Sequence, residues 1–160
     1  MRHRYDPGLG VWAFGEVRGY EGLIGAASGI GINVGYSWDL VDLHAGVIQN
    51  VTVVGEGRPT NITAGLDFAL FTIGGFSTML LVNGDYMLSP PMHQAGVGSN
   101  SMIGTGIGLG VRYRIGPLVD VFVDGTGEVL RGMPVGAQFF LEPGVSGGVV
   151  FHPFGSEDSR

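Results

Sequence analysis

The chain has no cysteine among its 160 residues, and all eight of its basic residues are arginine. Disulfides, thiol nucleophiles, iron–sulfur clusters and cysteine-based zinc sites are therefore excluded. Without lysine there is no Walker lysine, no Schiff base and no catalytic amine. Charge is scarce: 14% of residues are charged, against about 25% in an ordinary soluble domain. What charge there is runs negative, with a formal net charge of −6, which argues against a nucleic-acid partner. No long hydrophobic run occurs. The longest are short, such as Met79-Leu80-Leu81-Val82, and a membrane-spanning helix needs about 20 consecutive apolar residues. No secretory signal is visible either. Basic Met1-Arg2-His3-Arg4 is followed by Tyr5-Asp6-Pro7-Gly8 rather than an apolar stretch. The expectation is a chain that is not exported, or a mature form behind a start methionine.

The abundant components are glycine, at 31 residues, and apolar side chains, at 44%, with a mean hydropathy of +0.31. Such a chain is too apolar for disorder, and its glycines lack the strict three-residue period of collagen. An apolar chain without apolar runs must spread its apolar residues periodically. The period is two. Ile30, Ile32, Val34, Tyr36, Trp38 and Leu40 alternate with Gly31, Asn33, Gly35, Ser37 and Asp39. Ile103, Thr105, Ile107, Leu109, Val111, Tyr113 and Ile115 alternate with Gly104, Gly106, Gly108, Gly110, Arg112 and Arg114. Ile62, Ala64, Leu66, Phe68 and Leu70 alternate with Asn61, Thr63, Gly65, Asp67 and Ala69. Successive side chains of a strand point to opposite faces, so these segments read as strands with one apolar face.

Weaker copies complete eight strands at 10–20, 27–39, 41–54, 60–71, 74–88, 101–115, 118–130 and 135–154. The first is strand-like with ambiguous facing, because Trp12 and Phe14 share parity with Glu16 and Arg18; a bulge would reconcile it. Connections alternate between short (39–41, 72–75, 116–118) and long (21–28, 55–60, 89–100, 131–134). Short links make antiparallel neighbours. The predicted fold is all-β, an eight-stranded antiparallel up-and-down barrel over residues 10–154. A 1–9 extension precedes it and a polar 155–160 tail follows, and no helix or internal domain boundary is expected.

Two closed architectures fit such a meander: a soluble barrel with apolar residues inside, and a transmembrane barrel with apolar residues outside. The non-apolar face is mostly Gly, Ser, Asn and Thr with few charges, and a soluble exterior would want many more. The predicted outer, lipid-facing side therefore carries Ile30, Ile32, Val34, Ile107, Leu109 and Val111. The lumen would hold a charge network of Asp42, His44, Asp67, Arg112, Arg114, Asp120 and Asp124, with Asp39, Asp85 and Glu128 as further lumen acids. The three-residue link Gly116-Pro117-Leu118 sets Arg114 across from Asp120, and a charge in low dielectric needs such a partner. Aromatics at the tight-turn ends, Tyr36, Trp38, Phe68, Phe76, Tyr113 and Phe151, with Phe71 and Trp12, suit an interfacial girdle.

On these features the chain resembles the small eight-stranded bacterial outer-membrane β-barrels of the outer-membrane protein A transmembrane type. The segment Gly144-Val145-Ser146-Gly147-Gly148-Val149-Val150-Phe151-His152-Pro153-Phe154 looks like that family's C-terminal assembly signal, although Pro153 interrupts it and a polar tail follows. The resemblance implies an outer-membrane location, with termini and tight turns toward the periplasm and the long loops outside.

Candidate chemistry is sparse. The glycine string of 104–110 has spacing two throughout, unlike the G-x-G-x-x-G of a nucleotide loop. It reads as lumen packing, or as room for a larger neighbour. His44 shares a face with Asp42, a pair able to bind a proton or a metal, or simply a hydrogen-bonded lumen histidine. No His-x-Ser pair occurs, and Ser101 has no evident base beside it. The sequons Asn50-Val51-Thr52 and Asn61-Ile62-Thr63 fall in strands. The segment 88–100, with Pro90, Pro91, Met92 and His93, is the longest irregular stretch and the place to meet a partner.

The expected role is structural or interactive, without catalysis, metal or cofactor. Membrane lipid is the expected partner, with other envelope proteins reached through the loops. The alternatives are a soluble lipocalin-like carrier of an apolar ligand, a small channel, or a lipid-modifying membrane enzyme.

Overall fold

A computed structural model describes residues 7–19, 26–53, 59–88, 101–133 and 139–153. They form eight strands: β1 (Gly8–Gly19), β2 (Ala26–Ser37), β3 (Val41–Val53), β4 (Thr60–Ile73), β5 (Phe76–Leu88), β6 (Ser101–Arg114), β7 (Val119–Met133) and β8 (Phe139–Phe151). Each pairs antiparallel with the next, and β8 closes on β1. Closure removes every sheet edge. The segments 1–6, 20–25, 54–58, 89–100, 134–138 and 154–160 lie outside the described residues. With them go the expectations about the loop at Pro90, Pro91, Met92 and His93, the polar tail and the N-terminal segment.

Short connections gather at one rim. Between β4 and β5 only Gly74 and Gly75 intervene, and Gly74 has φ of 62°. A two-residue hairpin whose twist matches its strands needs positive φ there, which glycine supplies without steric cost. The β2–β3 turn is closed by the Trp38 N–H donating to the Val41 carbonyl at 2.7 Å. The β6–β7 link brings Arg114 opposite Asp120 in register. β8 ends before Pro153, which has no N–H to continue a ladder. The His152 N–H bonds instead to the Leu118 carbonyl at 2.8 Å. The aligned structure thus stops short of the strand limit expected at 154.

Bulges fall elsewhere than expected. The register shifts between Ser28 and Gly29 and between Ala69 and Phe71. β1 is continuous with both neighbours, so its parity is uniform and Trp12, Phe14, Glu16 and Arg18 all point inward. Trp12 is buried inside the barrel and does not belong with the rim aromatics. Asp39 also departs from expectation. It lies in the β2–β3 turn, half-buried, rather than on a strand face.

Candidate functional site

The two faces of the wall separate by chemistry. Ile30, Ile32, Val34, Ile107, Leu109 and Val111 are all exposed on the outer wall, between 47% and 67%. On the inner wall Asp42 and Asp120 are at 0% and Arg112 at 2%. Tyr36, Trp38, Phe76, Tyr113 and Phe151 are exposed around the tight-turn rim, and Phe68 is half-buried there. Rings pair along this rim, Tyr36 with Trp38 at 4.9 Å and Phe76 with Tyr113 at 4.5 Å between centroids.

Inside, side chains are arranged in layers. At the tight-turn rim, Asp120 accepts a hydrogen bond from Arg114 Nε at 3.3 Å and faces His152 Nε2 at 3.1 Å. Above it, Arg112 donates one guanidinium nitrogen to Asp42 and the other to Asp67. Its Cζ lies 5.8 Å from the Trp12 ring centroid and 5.9 Å from that of Phe122. Asp67 also accepts from His44 Nε2 at 3.1 Å. Asn33 donates to His44 Nδ1 at 3.0 Å, and Thr63 Oγ donates to Asn33 Oδ1 at 3.2 Å. This chain of bonds leaves His44 with its proton on Nε2. The partner of His44 is therefore Asp67, while Asp42, its neighbour in sequence, serves Arg112.

Nearer the long loops, Arg18 is shared by four carboxylates. Its Nε donates to Glu16 at 2.9 Å, and its Nη1 reaches Glu128 at 2.9 Å, Asp85 at 3.3 Å and Glu142 at 3.3 Å. Asn83 adds a 2.7 Å bond to Glu128. Asp124 is buried on the same inner wall but makes no hydrogen bond or ion pair among the described residues. A cavity of about 80 Å³ lies between the Arg112 and Arg18 layers. Apolar side chains pack into this stack: Trp12, Phe122 and Val150 cluster at the level of Arg112, and Met87, Met102 and Leu130 cluster on the long-loop side of Arg18.

The glycine string on β6 explains how so much fits. In register, Gly104, Gly106, Gly108 and Gly110 stand opposite Leu130, Glu128, Thr126 and Asp124 of β7. A Cβ at each glycine would collide with the residue opposite it or with that residue's adjacent backbone. Gly65 likewise leaves room for the His44 ring, and Gly31 and Gly148 for Phe14. The inner glycines are the space into which the larger inner side chains of adjacent strands project.

Among the residues expected in the lumen network, Asp42, His44, Asp67 and Arg112 form one connected group and Arg114 with Asp120 another. Glu16, Arg18, Glu142 and His152 are buried inside as well, beyond the residues expected in the network. Glu142 and His152 share parity with Gly144, Ser146 and Gly148, so the alternation of β8 carried that signal. Arg18 and Glu16 were hidden by the mixed parity of β1. The glycines facing Phe14 from both neighbouring strands were the clue to its direction.

This geometry defines a closed eight-stranded meander with a greasy exterior and a side-chain-filled, charged interior. No family model matches the chain, and no curated protein matches it. Solved structures do. The chain is similar to the crystal structure of Neisserial surface protein A, with a TM-score of 0.62 at 18% identity, covering 92% of this chain and 99% of that one. It is also similar to the N-terminal β-barrel domain of Pseudomonas aeruginosa OprF, with a TM-score of 0.61 at 17% identity, covering 92% of this chain and 97% of that domain. The shared property is the fold, that of the small outer-membrane barrels.

Proposed function

We propose that the chain is an integral β-barrel of the bacterial outer membrane with a structural or interaction role and no catalytic one. The observation that carries this reading is the inversion of the wall: apolar side chains face out and ionisable ones face in. A soluble carrier of an apolar ligand requires the opposite arrangement, because charged groups seek water and an apolar ligand needs an apolar pocket. An eight-stranded lumen is narrow enough for side chains to fill. Here Arg112, Trp12 and Phe122 occupy it, which supports a rigid plug over an open path. The described histidines are engaged with lumen partners, His44 with Asn33 and Asp67 and His152 with Asp120, which supports a structural use for them. The strand ends at the rim opposite Gly8 and Phe151 would face outward, where the connections between them would meet lipid or other envelope proteins.

Electrophoresis tests this reading. The purified chain, folded in detergent, should migrate differently on a gel before and after boiling, and should aggregate when detergent is withdrawn. A chain that stays monodisperse in plain buffer and migrates identically in both states would refute the membrane assignment.

A further inference from the structure

The outer wall carries one charge among the described strand residues, Arg131 of β7, and its strand neighbours are apolar. Its register partners are Ile103 on β6 and Phe139 on β8. The next outward residue below it on β7 is Val129. No carboxylate lies within ion-pair distance among the described residues. Its guanidinium carbon sits 5.8 Å from the Phe139 ring centroid, and Phe139 is itself 65% exposed.

Height decides what this charge meets. Along β7, Arg131 stands ten positions from Val121, the register partner of the rim aromatic Tyr113. On β5 the same ten positions separate Phe76 from Tyr86, which is also exposed. At about 3.3 Å per residue and a tilt of about 40°, ten positions rise about 25 Å, the height of the apolar band of a membrane barrel. If the tight-turn aromatics mark one interface, Arg131, Phe139 and Tyr86 mark the other, on the long-loop side. A guanidinium within hydrocarbon is expensive, whereas at an interface it finds anionic headgroups. Its planar fork of donors suits the oxygens of a phosphate.

We infer that Arg131, oriented by Phe139, binds the phosphate of a membrane lipid at the long-loop interface and so fixes the depth of the barrel. This inference rests on the membrane reading above. The full chain, folded in uncharged detergent, would be offered phosphatidylglycerol or diacylglycerol of the same acyl chains, and retention read by native mass spectrometry. The wild-type chain should retain the phosphate-bearing lipid about fivefold better than the neutral one. Arg131→Gln should lose that preference, and Arg131→Lys should keep most of it. Equal retention of phosphatidylglycerol by the wild-type chain and Arg131→Gln, both shifting on boiling, would overturn this inference alone. A wild-type chain that neither shifts on boiling nor enters lipid vesicles would overturn the membrane reading and this inference together.

Discussion

Arg112 holds two buried aspartates and lies between two aromatic rings, so its removal tests the interior directly. Arg112→Met keeps much of the volume but strands Asp42 and Asp67 without their cation. Breaking a buried pair in this way costs about 3–5 kcal/mol, and denaturant unfolding of the variant should show a loss of that order. The matched change Asp42→Asn should cost less, because an amide needs no counter-charge. Glycine gives a second residue-scale test. Gly106 stands against Glu128 and its backbone, whereas Gly127 has nothing within 4 Å of where a Cβ would sit. Gly106→Val should destabilise by at least about 1–3 kcal/mol, the range for overpacked interiors. Gly127→Ala should be neutral or slightly stabilising, since alanine has less freedom to lose on folding. The same midpoint measurement reads both. From the sequence, alternation alone put Gly104, Gly106, Gly108 and Gly110 on the inner face. It could not say which side chain each one makes room for, since that depends on the register between β6 and β7.

At the scale of elements, strands with clean alternation were legible almost to the residue: β2, β4 and β6 begin and end within one or two positions of their expected limits. The Arg114–Asp120 juxtaposition was legible too, because a short link fixes register. Arg112 could not be partnered in that way. Its aspartates sit on β3 and β4, across the lumen, and contacts across a cylinder leave no trace in local spacing. β1 was the least legible strand. Its inward face mixes Trp12 and Phe14 with Glu16 and Arg18, and a two-class pattern of apolar and polar cannot sort a face holding both. Pairing is also uneven around the wall. The β5–β6 ladder runs the full length of β5 and all but one residue of β6, from Phe76–Tyr113 to Leu88–Ser101, whereas β1–β8 runs only from Val11–Phe151 to Arg18–Gly144. Local opening should follow that difference. In hydrogen-exchange measurements on the detergent-folded chain, amides at the ends of the β1–β8 seam should exchange before those of β5 and β6.

For the whole molecule, composition and the facing of the wall outweighed any motif. Among the described residues the inner wall buries eight carboxylates, Glu16, Asp42, Asp67, Asp85, Asp120, Asp124, Glu128 and Glu142, around Arg18, Arg112 and Arg114. Side chains from opposite walls meet across the axis at Arg112, which is on β6, while Asp42 is on β3 and Trp12 on β1. Planar bilayers containing the wild-type chain should therefore show no sustained current, and a steady ohmic conductance would contradict a plugged interior.

Closure of β8 onto β1 also has a kinetic consequence. The strands that meet at that seam are the first and last of the barrel, so this ladder joins residues far apart in sequence, from Val11–Phe151 to Arg18–Gly144. Until it forms, any partly assembled sheet displays two unsatisfied borders and a fatty outer surface, each an invitation to self-association. Only a host that shelters both, such as a micelle, a bilayer or an escorting protein, lets the ring finish before strangers join it.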